Sequence, residues 1–95
     1  MSTEYNKVYN KDEIRETLLD IVTSHTKVER TTINDKSDII DDLKMDSLDT
    51  IMVIMTAEEE FEVFIDESSA EKVQTFGDLV DTVIDKLDMA DRLTK

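Results

Sequence analysis

Proline is absent from this chain and Gly77 is its only glycine, which narrows the fold more than any other feature. Tight turns between strands draw on Gly or Asn at positive φ. A sheet built on short hairpins is therefore disfavoured, and helices joined by polar loops fit better. Apolar residues fall in regular clusters despite a charged fraction of 37%, so the chain reads as a folded domain with an acidic surface rather than a self-repelling coil. No internal repeat or low-complexity segment is visible.

Helix signals recur along the sequence. Asn10 can cap a first helix while Glu13 reaches back as a capping box. Ile14, Leu18, Ile21 and Val22 then share one face, widened by Leu19, and His25 and Thr26 mark the end. From Thr26 to Lys44 the periodicity lapses. A loop of that length needs something to pin it, and Val28, Ile33, Ile39, Ile40 and Leu43 are expected to tuck it across the bundle. A second helix begins at Asp46 or Ser47 and runs to Phe61 or Glu62, with Asp46 as N-cap and Asp49 in the first turn. Leu48, Ile51 and Met55 form one stripe with Met52 at its edge. Ile54, Glu58 and Phe61 follow at the same interval, and Val53 and Ala57 lie on other faces. So wide an apolar arc places this helix between two neighbours. A short helix is expected over Ser68 to Val73. A last helix, capped by Thr75 with Asp78 at its third position, presents Leu79, Val80, Val83, Ile84 and Leu87. The order long, long, short, long predicts an all-α bundle with one extended crossover.

Charge removes several function classes. The formal net charge is −13, and nucleic-acid binders need Lys and Arg to neutralise phosphates. Anionic membrane surfaces are disfavoured for the same reason. Basic protein partners are the natural counterpart, and this charge would speed their approach. The chain has no cysteine, which rules out disulfides and cysteine-ligated metals. The first residues lack the apolar segment of a secretory signal, and no apolar run approaches the roughly 20 residues needed to span a bilayer. A cytoplasmic monomer is expected.

Ser47 is the candidate for chemistry. A serine in the first turn of a helix sits among outward-pointing N–H groups at the positive end of the dipole, where an attached phosphate would find donors. The plainer reading is a residue suited to helix entry. A hydrolase nucleophile would need a base within reach. The only histidine, His25, belongs to the far end of another helix, and no Gly-x-Ser-x-Gly turn surrounds Ser47. A calcium loop is the other rival for so acidic a chain. Its best candidate, Asn34-Asp35-Lys36-Ser37-Asp38, lacks the required glycine and carboxylate spacing.

The segment Asp46-Ser47-Leu48-Asp49-Thr50, preceded by Asp41-Asp42-Leu43, resembles the modification site of acyl carrier proteins. The resemblance continues through Glu58-Glu59-Glu60-Phe61-Glu62, Ile65 and Ala70-Glu71-Lys72-Val73-Gln74-Thr75. It covers about residues 10–87 of what reads as a single domain, 1–95. It implies a four-helix bundle with three longer helices and one short one. It also implies a 4′-phosphopantetheine arm on Ser47, installed when the serine hydroxyl attacks the diphosphate of coenzyme A in a magnesium-dependent reaction run by a phosphopantetheinyl transferase. The thiol then belongs to the arm, which answers the missing cysteine, and the chain itself catalyses nothing.

Acyl groups carried as thioesters in fatty-acid or related lipid biosynthesis are the implied cargo. A dedicated polyketide or specialised-lipid carrier, or an unmodified acidic interaction module, is the alternative. The implied partners are that transferase and acyl-processing enzymes with basic docking surfaces. Residues expected to face them are Asp46, Leu48, Asp49, Met52, Glu58 and Glu59. Of the methionines near Ser47, Met55 reads as core filling, while Met45 and Met52 are open to an acyl pocket or partner contact. Three positions depart from the family's pattern: Lys44 stands where glycine is usual, Met52 where an acid is common, and Asp66 where proline is frequent. The tail from Asp88 to Lys95 adds polar residues.

Overall fold

The structure is a computed structural model and describes residues 7–94. Four α-helices follow in order, α1 (Lys11–Thr23), α2 (Ser47–Phe61), α3 (Glu67–Glu71) and α4 (Phe76–Met89), with a single 3-10 turn at Arg30–Thr32. α1 packs on both α2 and α4, and α2 also touches α4.

Local chemistry sets the helix starts. Asn10 and Glu13 form a reciprocal capping box, with Glu13 N–H donating to Asn10 Oδ1 at 2.8 Å and Asn10 N–H to Glu13 Oε1 at 3.0 Å. Thr75 and Asp78 repeat the device on α4. Asp66 caps α3, accepting from both the N–H and the hydroxyl of Ser69. Each box satisfies two helix-end donors that would otherwise be orphaned. α1 stops at Thr23, two residues short of His25, where the Thr23 and Ser24 hydroxyls turn back onto carbonyls of the last turn. α3 is shorter than expected and leaves Val73 in the linker to α4.

The core joins Ile14, Leu18 and Val22 of α1, Val53, Ala57 and Phe61 of α2, and Phe76, Leu79, Val83 and Leu87 of α4. The long connection contributes Ile33, Ile39, Leu43 and Met45 to it. Ile40 departs from expectation. It is 59% exposed, because the turn around Asp38 that buries Ile39 points its neighbour outward.

Backbone pairing pins this connection to the start of α4. Ile39 N–H donates to Gln74 O at 3.0 Å, Phe76 N–H to Ser37 O at 2.9 Å and Gly77 N–H to Asp35 O at 2.9 Å. Arg15 on α1 adds an ion pair to Asp35. Thr26 donates its hydroxyl to the Leu43 carbonyl and closes the loop on itself.

The tail beyond α4 is structural. The Arg92 side chain is buried and donates to three backbone carbonyls: Phe61 O at 2.7 Å, Glu62 O at 2.8 Å and Lys7 O at 3.0 Å. The first two belong to the end of α2, where Glu62 closes the helix in the left-handed region at φ 54°. A guanidinium there answers carbonyls that have no intrahelical partner. Tyr9 N–H bonds Arg92 O and Thr94 N–H bonds Tyr9 O. The Tyr9 ring packs edge-on against Phe61, with centroids 5.0 Å apart.

Candidate functional site

Ser47 is the first residue of α2 and is exposed. Asp46 precedes it as N-cap in extended backbone, and its carboxylate accepts from Asp49 N–H at 2.8 Å. Asp46 O accepts from Thr50 N–H at 3.0 Å and from the Thr50 hydroxyl at 2.9 Å. Those bonds account for the third and fourth residues of the helix. The N–H groups of Ser47 and Leu48 have no partner among the described residues, and neither has the Ser47 hydroxyl. The hydroxyl thus projects from a helix entrance whose two leading donors are unused, and the partial positive charge of the helix end lies behind them.

Met45 is fully packed in the core. Together with Leu43 it anchors the chain just before the serine, so the entrance of α2 is held in place from below. Between them Lys44 takes φ 59°, the left-handed region where glycine is the low-cost residue. The chain carries a lysine there instead.

The outer face of α2 overturns one expectation. Leu48, Ile51, Met52 and Met55 are all exposed, Met55 by 56%. Val53, Ile54, Ala57 and Phe61 face inward. Met55, read as core filling, therefore lies on the solvent face beside Leu48 and Met52, which were expected to face outward. Residues 48, 51, 52 and 55 recur at the spacing of one helix face, and they start one residue beyond Ser47. The helix is apolar on two opposite sides, one for the bundle and one left open. Contiguous apolar exposure of this kind makes the face a candidate interaction surface. The sequence signal was the doubled stripe itself, since one core face needs only half of it.

The acidic residues divide into two kinds. Glu58 is half-buried, and its carboxylate accepts from Ile65 N–H at 2.8 Å, fixing the turn after α2. Asp46 is likewise engaged with backbone. Glu59 is exposed at the far end of the open face, and Asp49 is half-buried one turn from Ser47. Beside this helix an open groove of about 400 Å³ is lined by Asp38, Ile39, Ile40, Asp41, Thr50, Val73 and Gln74. Thr50 places its wall one turn from Ser47, and the exposed Ile40 contributes to it.

No cluster of three or more His, Asp or Glu side chains suited to a metal occurs among the described residues. No helix there is long and apolar enough to cross a membrane.

Comparison with known proteins accounts for this arrangement. The family model for the phosphopantetheine attachment site matches residues 16–83, which include the entrance of α2. The chain belongs to the acyl carrier protein family. An acyl carrier protein from Enterococcus faecalis, described for its high thermal stability, has a similar structure, with a TM-score of 0.73 and 28% identity. The match covers 82% of this chain and 99% of that one. This carrier thus has the helical bundle of its family, and its prosthetic group is a covalently attached 4′-phosphopantetheine. Its role is to carry acyl groups, and its partners are enzymes that process them.

Proposed function

We propose that Ser47 bears the arm and that the open face of α2 is where the partner enzymes dock. The observation that carries this reading is the exposed, unengaged hydroxyl at the entrance of α2, inside the segment matched by the attachment-site model. The residues present suit a phosphodiester: a free hydroxyl to form the ester, two unused N–H groups beside it and the positive helix end behind. When bound, the group supplies a thiol on a long flexible chain, on which an acyl group is held as a thioester.

The chain's own residues present and orient. Ser47 Oγ forms the new bond to phosphorus, the diphosphate P–O bond breaks and the nucleotide leaves. In this reading the transferase supplies both the base that takes the hydroxyl proton and the magnesium. The carrier contributes no catalytic group to that step or to the acyl chemistry that follows. Carboxylates around the α2 entrance attract a basic partner, and Leu48, Ile51, Met52 and Met55 give it a small apolar contact. Such a contact suits fast exchange among many enzymes.

Fatty-acid or related lipid biosynthesis is the pathway we assign. It is supported by the likeness across Asp41–Thr75 to the modification segment of acyl carrier proteins and by the structural likeness to the Enterococcus faecalis protein. A carrier dedicated to a polyketide or specialised lipid is the second reading, favoured by Met52 at a position where an acid is common.

Incubation with coenzyme A and a broad-specificity transferase should add the mass of one phosphopantetheine group. Ser47→Ala should keep its helical spectrum and gain nothing. A mass increase retained by Ser47→Ala, or none on the folded wild type, overturns the proposal. Mass spectrometry of the protein taken from its own cells then reads the cargo and decides between the two pathways.

A further inference from the structure

Lys44 is the only lysine or arginine between Lys36 and Lys72. It lies in the most acidic part of the chain, with Asp41, Asp42, Asp46 and Asp49 nearby in sequence. It is exposed, yet makes no ion pair among the described residues. Three of the carboxylates around it, those of Asp38, Asp42 and Asp46, are bonded to backbone N–H groups. Asp42 accepts from Asp38 N–H, Asp38 from the N–H groups of Ile40 and Asp41, and Asp46 from Asp49 N–H. The cation is left free three residues before Ser47.

Three residues of chain span at most about 10 Å, and a lysine side chain reaches across most of that distance. Two neighbours hold the position of this cation. Leu43 and Met45 are both buried, so the segment cannot drift. The backbone at Lys44 sits at φ 59°, which costs a lysine more than a glycine.

We infer that Lys44 is a positioning residue for the arm: its ammonium pairs with the phosphodiester on Ser47 and holds the root of the arm against the entrance of α2. The inference rests on Ser47 being the attachment point. Without Lys44 the phosphodiester would meet only backbone N–H groups amid four aspartates, and their repulsion would push the arm outward. With it, one local positive charge offsets that field at the point where the new negative charge appears.

Wild type, Lys44→Gln and Lys44→Arg are each prepared without and with the arm, and mass spectrometry confirms its presence on Ser47. Thermal midpoints are then measured at low salt and in 1 M salt. In wild type and Lys44→Arg, adding the arm should shift the midpoint by the same amount. In Lys44→Gln the arm-bearing form should fall about 2–4 °C further relative to its arm-free form, the size expected of one exposed ion pair in a domain this small. That extra fall should vanish in 1 M salt, where screening acts within about 3 Å. The ³¹P resonance of the phosphodiester should move in Lys44→Gln alone. An arm effect identical in all three proteins, with an unmoved ³¹P resonance, overturns the role of Lys44 while leaving the attachment at Ser47 intact. If no protein acquires the arm, the attachment at Ser47 has failed and the role of Lys44 fails with it.

Discussion

Gly77 lies so close to Asp35 that a Cβ on the glycine would come within 2.7 Å of the Asp35 carbonyl oxygen. The Gly77 N–H bonds that same oxygen at 2.9 Å. The only glycine of the chain is thus kept for close approach between the long loop and the first turn of α4, and its φ is not in the left-handed region. Gly77→Ala gains helix propensity of up to about 1 kcal/mol but must displace backbone, and overpacking of that kind costs about 1–3 kcal/mol. The net expectation is a loss of about 1–2 kcal/mol, read as a lower urea midpoint with an unchanged m-value.

Arg92 should matter more than its place near the end of the chain suggests. Arg92→Met keeps much of the apolar stem but leaves the carbonyls of Phe61, Glu62 and Lys7 without their donor. Charged hydrogen bonds contribute about 1.5–3 kcal/mol each and do not add fully. A loss of about 2–4 kcal/mol in urea unfolding is expected. Arg92→Lys, with a single ammonium, should recover only part of it.

The two faces of α2 should respond oppositely to substitution. Phe61→Ala removes a fully buried ring and should cost about 3–5 kcal/mol. Met55→Ser, on the open face, should change stability by no more than about 0.5 kcal/mol. Combined with Leu48→Ser, it should weaken binding to a basic acyl-processing enzyme about 10-fold or more, as roughly 1.5 kcal/mol of lost apolar contact would do. Calorimetric titration checks this; unchanged affinity would show that partners use another face.

A distinct acid response is expected at Asp66. Its carboxylate accepts from Lys86 Nζ at 2.9 Å and caps α3 through Ser69. The Lys86 bond first, then those from Ser69, holds it well below the usual carboxylate range. A depressed folded value means stability that is present above the unfolded value near 4 and is lost as pH falls through the folded one. Asp66→Asn should therefore be less stable than wild type at pH 7, and the gap should close in thermal melts taken progressively below about pH 4. A gap that stays constant down to pH 2 would mean that the charge contributes nothing.

Residues within four positions of one another made most of the architecture legible. The boxes Asn10–Glu13 and Thr75–Asp78 and the cap Asp46 are written locally, so the starts of α1, α2 and α4 were readable to within a residue, whereas α3, expected from Ser68, starts at Glu67 on an Asp66 cap that was not foreseen. Ser47 was readable as a first-turn residue of α2 for the same reason. Leu48 and Met52 were expected outside, but Met55 on the same stripe was assigned to the core, because Leu48–Ile51–Met55 and Val53–Ala57–Phe61 are both apolar and periodicity carries no sense of in or out. Which side turns inward follows from the fit of Ala57 and Phe61 against α1 and α4, a tertiary fact. The burial of Arg92 was equally hidden, since its acceptors lie 30, 31 and 85 residues away and are backbone atoms that no side-chain pattern announces. At Lys44 a left-handed backbone was implied only by the glycine usual there in the family.

The parallel bridge between Tyr9 and Leu93 brings the two extremities of the described chain side by side, next to the C-terminal end of α2. Ser47 is at the other end of that helix, 15 residues and about 22 Å away. The molecule is therefore built like a stylus, gripped at one tip and working at the other. A tether, dye or neighbouring domain spliced on at the gripped tip would leave the working tip unobstructed, and a short link from Leu93 to Tyr9 would let the chain be reopened elsewhere as a circular permutant.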